Sequence, residues 1–375
     1  MSKDFHHTKI RMLSTKIKLP VHGQGVFLFK ATGTPTFTLG NIKVTFASKV
    51  QVTGPDGPLV DPDNKDLSTA SGVYYWFSID SQNQNIAAGV GEPRLETMTY
   101  KYLFTQDKGS KQMLESIKHI TYSGLKPIKI LRDPITNIVP FIVMDTQHLT
   151  MDDVAGGHIM PVANLPATSQ KLYNCIAGPK FTLDSDFPFY KAIEYSLATP
   201  GLWCYETIKK KATEFNDKPN EAETYLRITL GQNNGESPGI PYVMEIWPPG
   251  HYSPVHSHAG AEAVIRVLEG GINVKLYPFL SVVEPFAVAN FVKSDVMWIS
   301  PTLNQTHQLT NIGTNTCVTI QCYMYDGKNS KHYDYFDYLD NKGTIQQYTP
   351  DTDMDFVEFK QLMQEEWATK PWCWR

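Results

Sequence analysis

From about residue 20 to residue 150, short runs of apolar and aromatic residues recur between polar clusters. Val26-Phe27-Leu28-Phe29, Val44-Thr45-Phe46 and Val73-Tyr74-Tyr75-Trp76-Phe77 are rich in β-branched and aromatic residues and lie between clusters of Gly, Pro, Asn and Asp. That is the pattern of strands punctuated by turns. Gly54-Pro55-Asp56-Gly57-Pro58 and Asp61-Pro62-Asp63-Asn64 carry the turn chemistry most plainly, with Pro fixing one φ and Gly or Asn admitting the left-handed one. Regularly spaced short strands predict an antiparallel β-sandwich.

Around Met151 to Gln170 the pattern loosens into Gly156-Gly157, Pro161 and Pro166, which reads as a linker. The expected domains are therefore 1–165, a sandwich with its linker, and 166–375. In the second, Asp184-Ser185-Asp186 offers capping oxygens ahead of Phe187-Pro188-Phe189, with Pro in the first turn of a helix that Pro200-Gly201 stops. Trp203 to Phe215 reads as a second helix, and strands resume from Thr224 to about Tyr325. Between Asp353 and Thr369, Phe356, Phe359, Leu362, Met363 and Trp367 recur at helical spacing, so one amphipathic helix should pack on the strands. The fold class is mainly β with a few flanking helices.

Composition narrows the function classes. Charged residues are 19% and aromatics 12%, a profile of a compact aromatic-rich protein rather than a disordered one. Net charge is -4 and the densest basic run, Lys209-Lys210-Lys211, sits at a helix end, where a solvated face is expected and not a nucleic-acid footprint. Five cysteines, odd in number and without CxxC spacing, argue against a disulfide framework or zinc knuckle and for a reducing compartment. The first residues lack an apolar signal region, and no run approaches the ~18 apolar residues of a membrane span. The expectation is a cytoplasmic protein with neither membrane nor nucleic-acid partner.

The candidate chemistry lies in Gly250-His251-Tyr252-Ser253-Pro254-Val255-His256-Ser257-His258-Ala259-Gly260-Ala261-Glu262. His256 and His258 are two apart in a segment expected to be extended, so alternation aims both imidazoles at one face. Two such nitrogen donors on the inner face of a small barrel make half a metal site. His307, after a strand ending near Pro301, could return a third. His251 points the other way by parity.

These segments resemble the two cupin motifs. Gly250, His256, His258 and Glu262 match the first, with its final glycine one place late at Gly270. His307 and Asn311 match the second, with Pro301 one place early and Asn304 where a glycine is expected. The resemblance implies a double-stranded β-helix barrel. Within the cupins, Tyr225 to Tyr325 is similar to the cysteine dioxygenase family. The likeness is carried by Tyr225-Leu226-Arg227, the turn Gly231-Gln232-Asn233-Asn234-Gly235, Trp247-Pro248-Pro249-Gly250-His251, and Tyr323.

That resemblance implies Fe(II) held by His256, His258 and His307, and conversion of cysteine, or a close small thiol, to the sulfinic acid with O2. Arg227 would grip the substrate carboxylate through its fork of donors, with Tyr225 also in the substrate site. Tyr323 would orient substrate or oxygen. Two positions depart from the family: Ala263 stands where animal members hold a cysteine crosslinked to the tyrosine, and Gln321 replaces the tyrosine's histidine partner. Glu262 has the cupin spacing of a fourth ligand, leaving open a three-His-one-Glu centre for a non-thiol substrate. A barrel that binds a metal or ligand without catalysis is the other alternative. Gly72 to Phe104 faintly resembles the β-domain named after farnesoic acid O-methyltransferase and carries no catalytic motif.

Overall fold

The computed structural model describes residues 15–30, 33–68, 73–122, 127–177, 182–183, 187–230, 242–258, 260–324 and 336–371. The expected capping run Asp184-Ser185-Asp186 and the turn Gly231 to Gly235 lie outside them. The chain divides into two compact units, Met1–Ile138 and Val139–Arg375.

The first unit is the expected antiparallel sandwich. One sheet has the order Thr15–Lys18, His119–Tyr122, Thr36–Leu39, Ile42–Phe46, Val50–Gly54, Gly57–Leu59. The other runs Pro127–Leu131, Gln24–Lys30, Tyr74–Asp80, Asn85–Val90, Met98–Leu103. Alternation does the sorting: Ile42, Val44 and Phe46 are buried while Lys43 between them is exposed. Phe27 and Phe29 from one sheet meet Phe37 and Phe46 from the other, with Phe29 and Phe37 ring centroids 4.7 Å apart. Offset and edge contacts of this kind add to the large apolar area each ring removes from water.

In the second unit two sheets enclose a second core. The larger has the order Ile159–Pro161, Ile142–Met144, Val296–Ile299, Glu262–Glu269, Cys317–Met324, Tyr242–Trp247, Leu226–Leu230, Met354–Asp355. The smaller runs Ala287–Val292, Gly271–Tyr277, Thr306–Thr310, His256–Ser257, Phe336–Leu339, Ile345–Tyr348. This is a cupin barrel. Its interior is filled by Val243, Trp247, Ala263, Ile265, Val267, Val274, Leu276, Phe291, Ile299 and Leu309. The alternate residues, among them Leu226, Ile228, Met244, Ile246, Val264 and Ile320, face outward under the helices Ala167–Ile176, Phe189–Ala198, Trp203–Lys210 and Phe356–Ala368. The last is the expected amphipathic helix, burying Phe359 and Met363. Gly270 turns between strands at φ +71, where an added Cβ would lie 2.6 Å from the Thr316 carbonyl oxygen, so no other residue fits without movement.

The domain boundary differs from the expected residue 165. Ile142–Met144 pairs with Val296–Ile299 and Ile159–Pro161 pairs with Ile142–Met144, so this stretch is part of the barrel sheet. The expected linker holds a helix, Met151–Gly156, begun by a capping box. Thr150 Oγ1 accepts from the Asp153 amide at 3.1 Å and Asp153 Oδ2 accepts from the Thr150 amide at 2.9 Å. Gly157, at φ +65, ends it. Small polar residues here cap and turn rather than link. Among the described residues no helix is long and apolar enough to cross a membrane.

Candidate metal centre

The structure brings His256, His258 and His307 together inside the barrel, with one potential ligand atom from each lying within 4.8 Å of the others. His256 is directly opposite His307 in the pairing of His256–Ser257 with Thr306–Thr310, and His258 follows just past that strand. The turn before His307 explains an irregularity of the second motif. Asn304 takes φ +61, a left-handed conformation that Asn tolerates better than most residues, and so does the work expected of glycine. Its side chain donates to the Trp298 carbonyl at 2.8 Å, fixing the turn. Asn311 fixes the other end of the strand, donating to the Trp247 and Asn315 carbonyls at 2.8 and 2.9 Å.

Hydrogen bonding sets the tautomers. His256 Nδ1 is 3.0 Å from the Pro254 carbonyl oxygen and His307 Nδ1 is 3.1 Å from that of Asn304. A carbonyl only accepts, so each Nδ1 carries the proton and each Nε2 turns a lone pair inward. His258 Nε2 lies 3.1 Å from His307 Nε2, while His258 Nδ1 is buried without a hydrogen-bond partner among the described residues. If Nδ1 of His258 is protonated, two lone pairs confront each other. If Nε2 is, a buried acceptor is left unpaired, which is costly. A cation at the convergence removes the first conflict, and the donor set fits one. Burial also keeps the imidazoles neutral, lowering His256 to about 4 and His307 to about 3, and His258 well below its usual value with the neighbouring histidines adding to the effect.

Glu262 does not join this group. Its Oε2 accepts from Ser169 Oγ of the covering helix at 2.9 Å, on the outer face of the sheet, while Ala263 faces in. His251 is likewise apart, its Nδ1 at 3.0 Å from the Thr224 carbonyl oxygen. Tyr323 stacks on His258, centroids 5.4 Å apart, and its hydroxyl donates to Gln321 Oε1. Tyr225 is packed between Trp247, at 4.2 Å, and Phe215, at 6.2 Å.

Arg227 is 6% exposed on the inner wall, close enough to His256 and His258 to disfavour their protonation. Its Nη1 donates to Glu245 Oε1 at 2.9 Å, and its Nε is buried without a partner among the described residues. Glu245 Oε2 accepts from Gln321 Nε2. Arg227, Glu245, Gln321 and Tyr323 thus form one connected polar row across three strands. Burial pushes the Glu245 carboxyl up to about 7, with Arg227 the largest influence opposing it. Glu245 was not among the residues the sequence singled out. Its signal was there: a carboxylate in Val243-Met244-Glu245-Ile246-Trp247, in phase with an inward Trp.

No protein-family model and no curated protein matches the sequence. Among solved structures, the chain is similar to the cupin domain of Schizosaccharomyces pombe Cnp3, at 17% identity over 27% of this chain and 65% of that one, TM-score 0.23. Oxalate oxidase in complex with glycolate matches at 17% identity over 27% and 51%, TM-score 0.23. A cupin-superfamily sugar phosphate isomerase from Silicibacter pomeroyi matches at 14% over 31% and 71%, TM-score 0.21. The chain spans less than two thirds of the first two. From its own geometry, the second unit is a cupin barrel carrying a three-histidine metal-binding group.

Proposed function

We propose that the barrel is a non-haem iron dioxygenase that oxidises a small thiol of the cysteine type to its sulfinic acid. The observation that carries this reading is the convergence of three neutral imidazoles, with no carboxylate ligand among the described residues, beside Arg227 and Tyr323. Three neutral ligands suit Fe(II), which when bound would supply open positions and redox capacity for a thiol and O2. In R–SH + O2 → R–SO2H both oxygen atoms end on sulfur, which loses four electrons as O2 gains four. His256, His258 and His307 hold the metal. Tyr323, steadied by Gln321, orients the reacting sulfur or oxygen through its hydroxyl. Arg227 faces the polar end of the substrate, and Tyr225 supports that wall by packing.

Glu262's bond to Ser169 weighs against the three-His-one-Glu alternative. The test is metal analysis after anaerobic iron loading, then an oxygen electrode with a small panel of thiols. One O2 consumed per sulfinic acid formed is the expected result. Zinc alone retained, with no O2 uptake from any thiol, would instead favour a binding protein without catalysis.

A further inference from the structure

A guanidinium that is to hold a substrate carboxylate should be open toward the substrate. Here Arg227 already holds one. Nη1 is bonded to Glu245 at 2.9 Å, both residues are nearly sealed from solvent, and Gln321 holds the other oxygen of Glu245. With Glu245 ionised the pair has no net charge. Among its remaining N–H donors, Nε–H of Arg227 is buried without a partner among the described residues.

We infer that Glu245 is a specificity-determining residue, occupying Arg227 so that the centre takes a thiol whose far end is an uncharged hydrogen-bond acceptor, such as an amide or hydroxyl, rather than a free carboxylate. This rests on the thiol reading above. A second carboxylate brought to Arg227 would lie beside the Glu245 anion in a site shielded from water, where like charges repel strongly. A neutral oxygen satisfies the spare Nε–H without that repulsion. Selection of this kind works by disfavouring the wrong partner as much as by fitting the right one.

L-cysteinamide and L-cysteine differ only in this group and make the test. The cobalt(II)-loaded full chain is titrated anaerobically with each, following the thiolate-to-cobalt charge-transfer absorption. The wild type should bind the amide about tenfold more tightly. E245Q, which keeps the shape and removes the charge, should shift the ratio toward cysteine by about tenfold or more. If wild type prefers cysteine, or a folded E245Q leaves the ratio unchanged, the role of Glu245 is refuted while the thiol reading stands. If neither thiol produces the absorption, both fall. Should E245Q fail to fold, the wild-type preference alone decides.

Discussion

His256 and His307 are cross-strand partners, one imidazole directly opposite the other in an antiparallel pair. The metal-binding group is therefore set by strand register, and side chains opposed in this way are the unit of sheet geometry. A one-residue slip would turn His307 out of the barrel.

Replacing His307 with Ala removes one of three donors and the partner of His258 Nε2. Most bound iron should be lost, with the circular dichroism of the barrel retained. Elemental analysis after iron loading checks this, and full occupancy in the variant would contradict the three-histidine centre.

Asn304 acts one step out. Asn304→Ala puts an alanine at φ +61, costing about 1–2 kcal/mol for the left-handed conformation. It also frees the turn whose carbonyl oxygen fixes His307 Nδ1. Metal affinity should drop about 10–100-fold, as for other groups that orient a ligand. Asn304→Gly should lose less stability than Ala, which competitive chelation and thermal melting can compare.

The histidines and the helical spacing of Phe359 and Met363 were legible because each follows from a period along one segment. The Arg227–Glu245 pair was not. It depends on the register between two strands, and pattern within one strand says nothing about that. The strand Ile142–Met144 was missed for a related reason: it is short, and its identity comes from pairing with Val296–Ile299 far along the chain. Asn304 was noticed as a departure, but only its φ shows it to be a substitute for glycine.

Arg227→Gln should make stability strongly pH-dependent. The Glu245 carboxyl is raised from 4.5 to about 7, so the native state binds more protons in that window. Its contribution is fully present below 4.5 and lost as pH rises through 7. Without Arg227 the carboxyl rises further. The variant should lose about 3–5 kcal/mol near pH 9 and much less near pH 5. Urea unfolding at the two pH values measures it; an equal loss at both would contradict the buried pair.

Ala263 is the cross-strand partner of Tyr323 and offers no sulfur. Cys322, next in sequence to the tyrosine, directs its thiol away toward the Leu172 carbonyl, 3.5 Å from Sγ. Intact-mass measurement should give the unmodified mass, without the two-hydrogen loss of a thioether. A peptide joining Tyr323 to any cysteine would refute this.

The division of the chain at residue 138 decides how the barrel unit can be studied alone. A fragment starting at residue 166 would strip Ile142–Met144 from the sheet, leaving that edge of Val296–Ile299 without its partner strand. It would also lose Val143 and Leu165 from the core beneath the helices. Such an open, apolar edge invites aggregation. A fragment beginning at Val139 keeps both barrel sheets whole and should stay soluble where the shorter one does not.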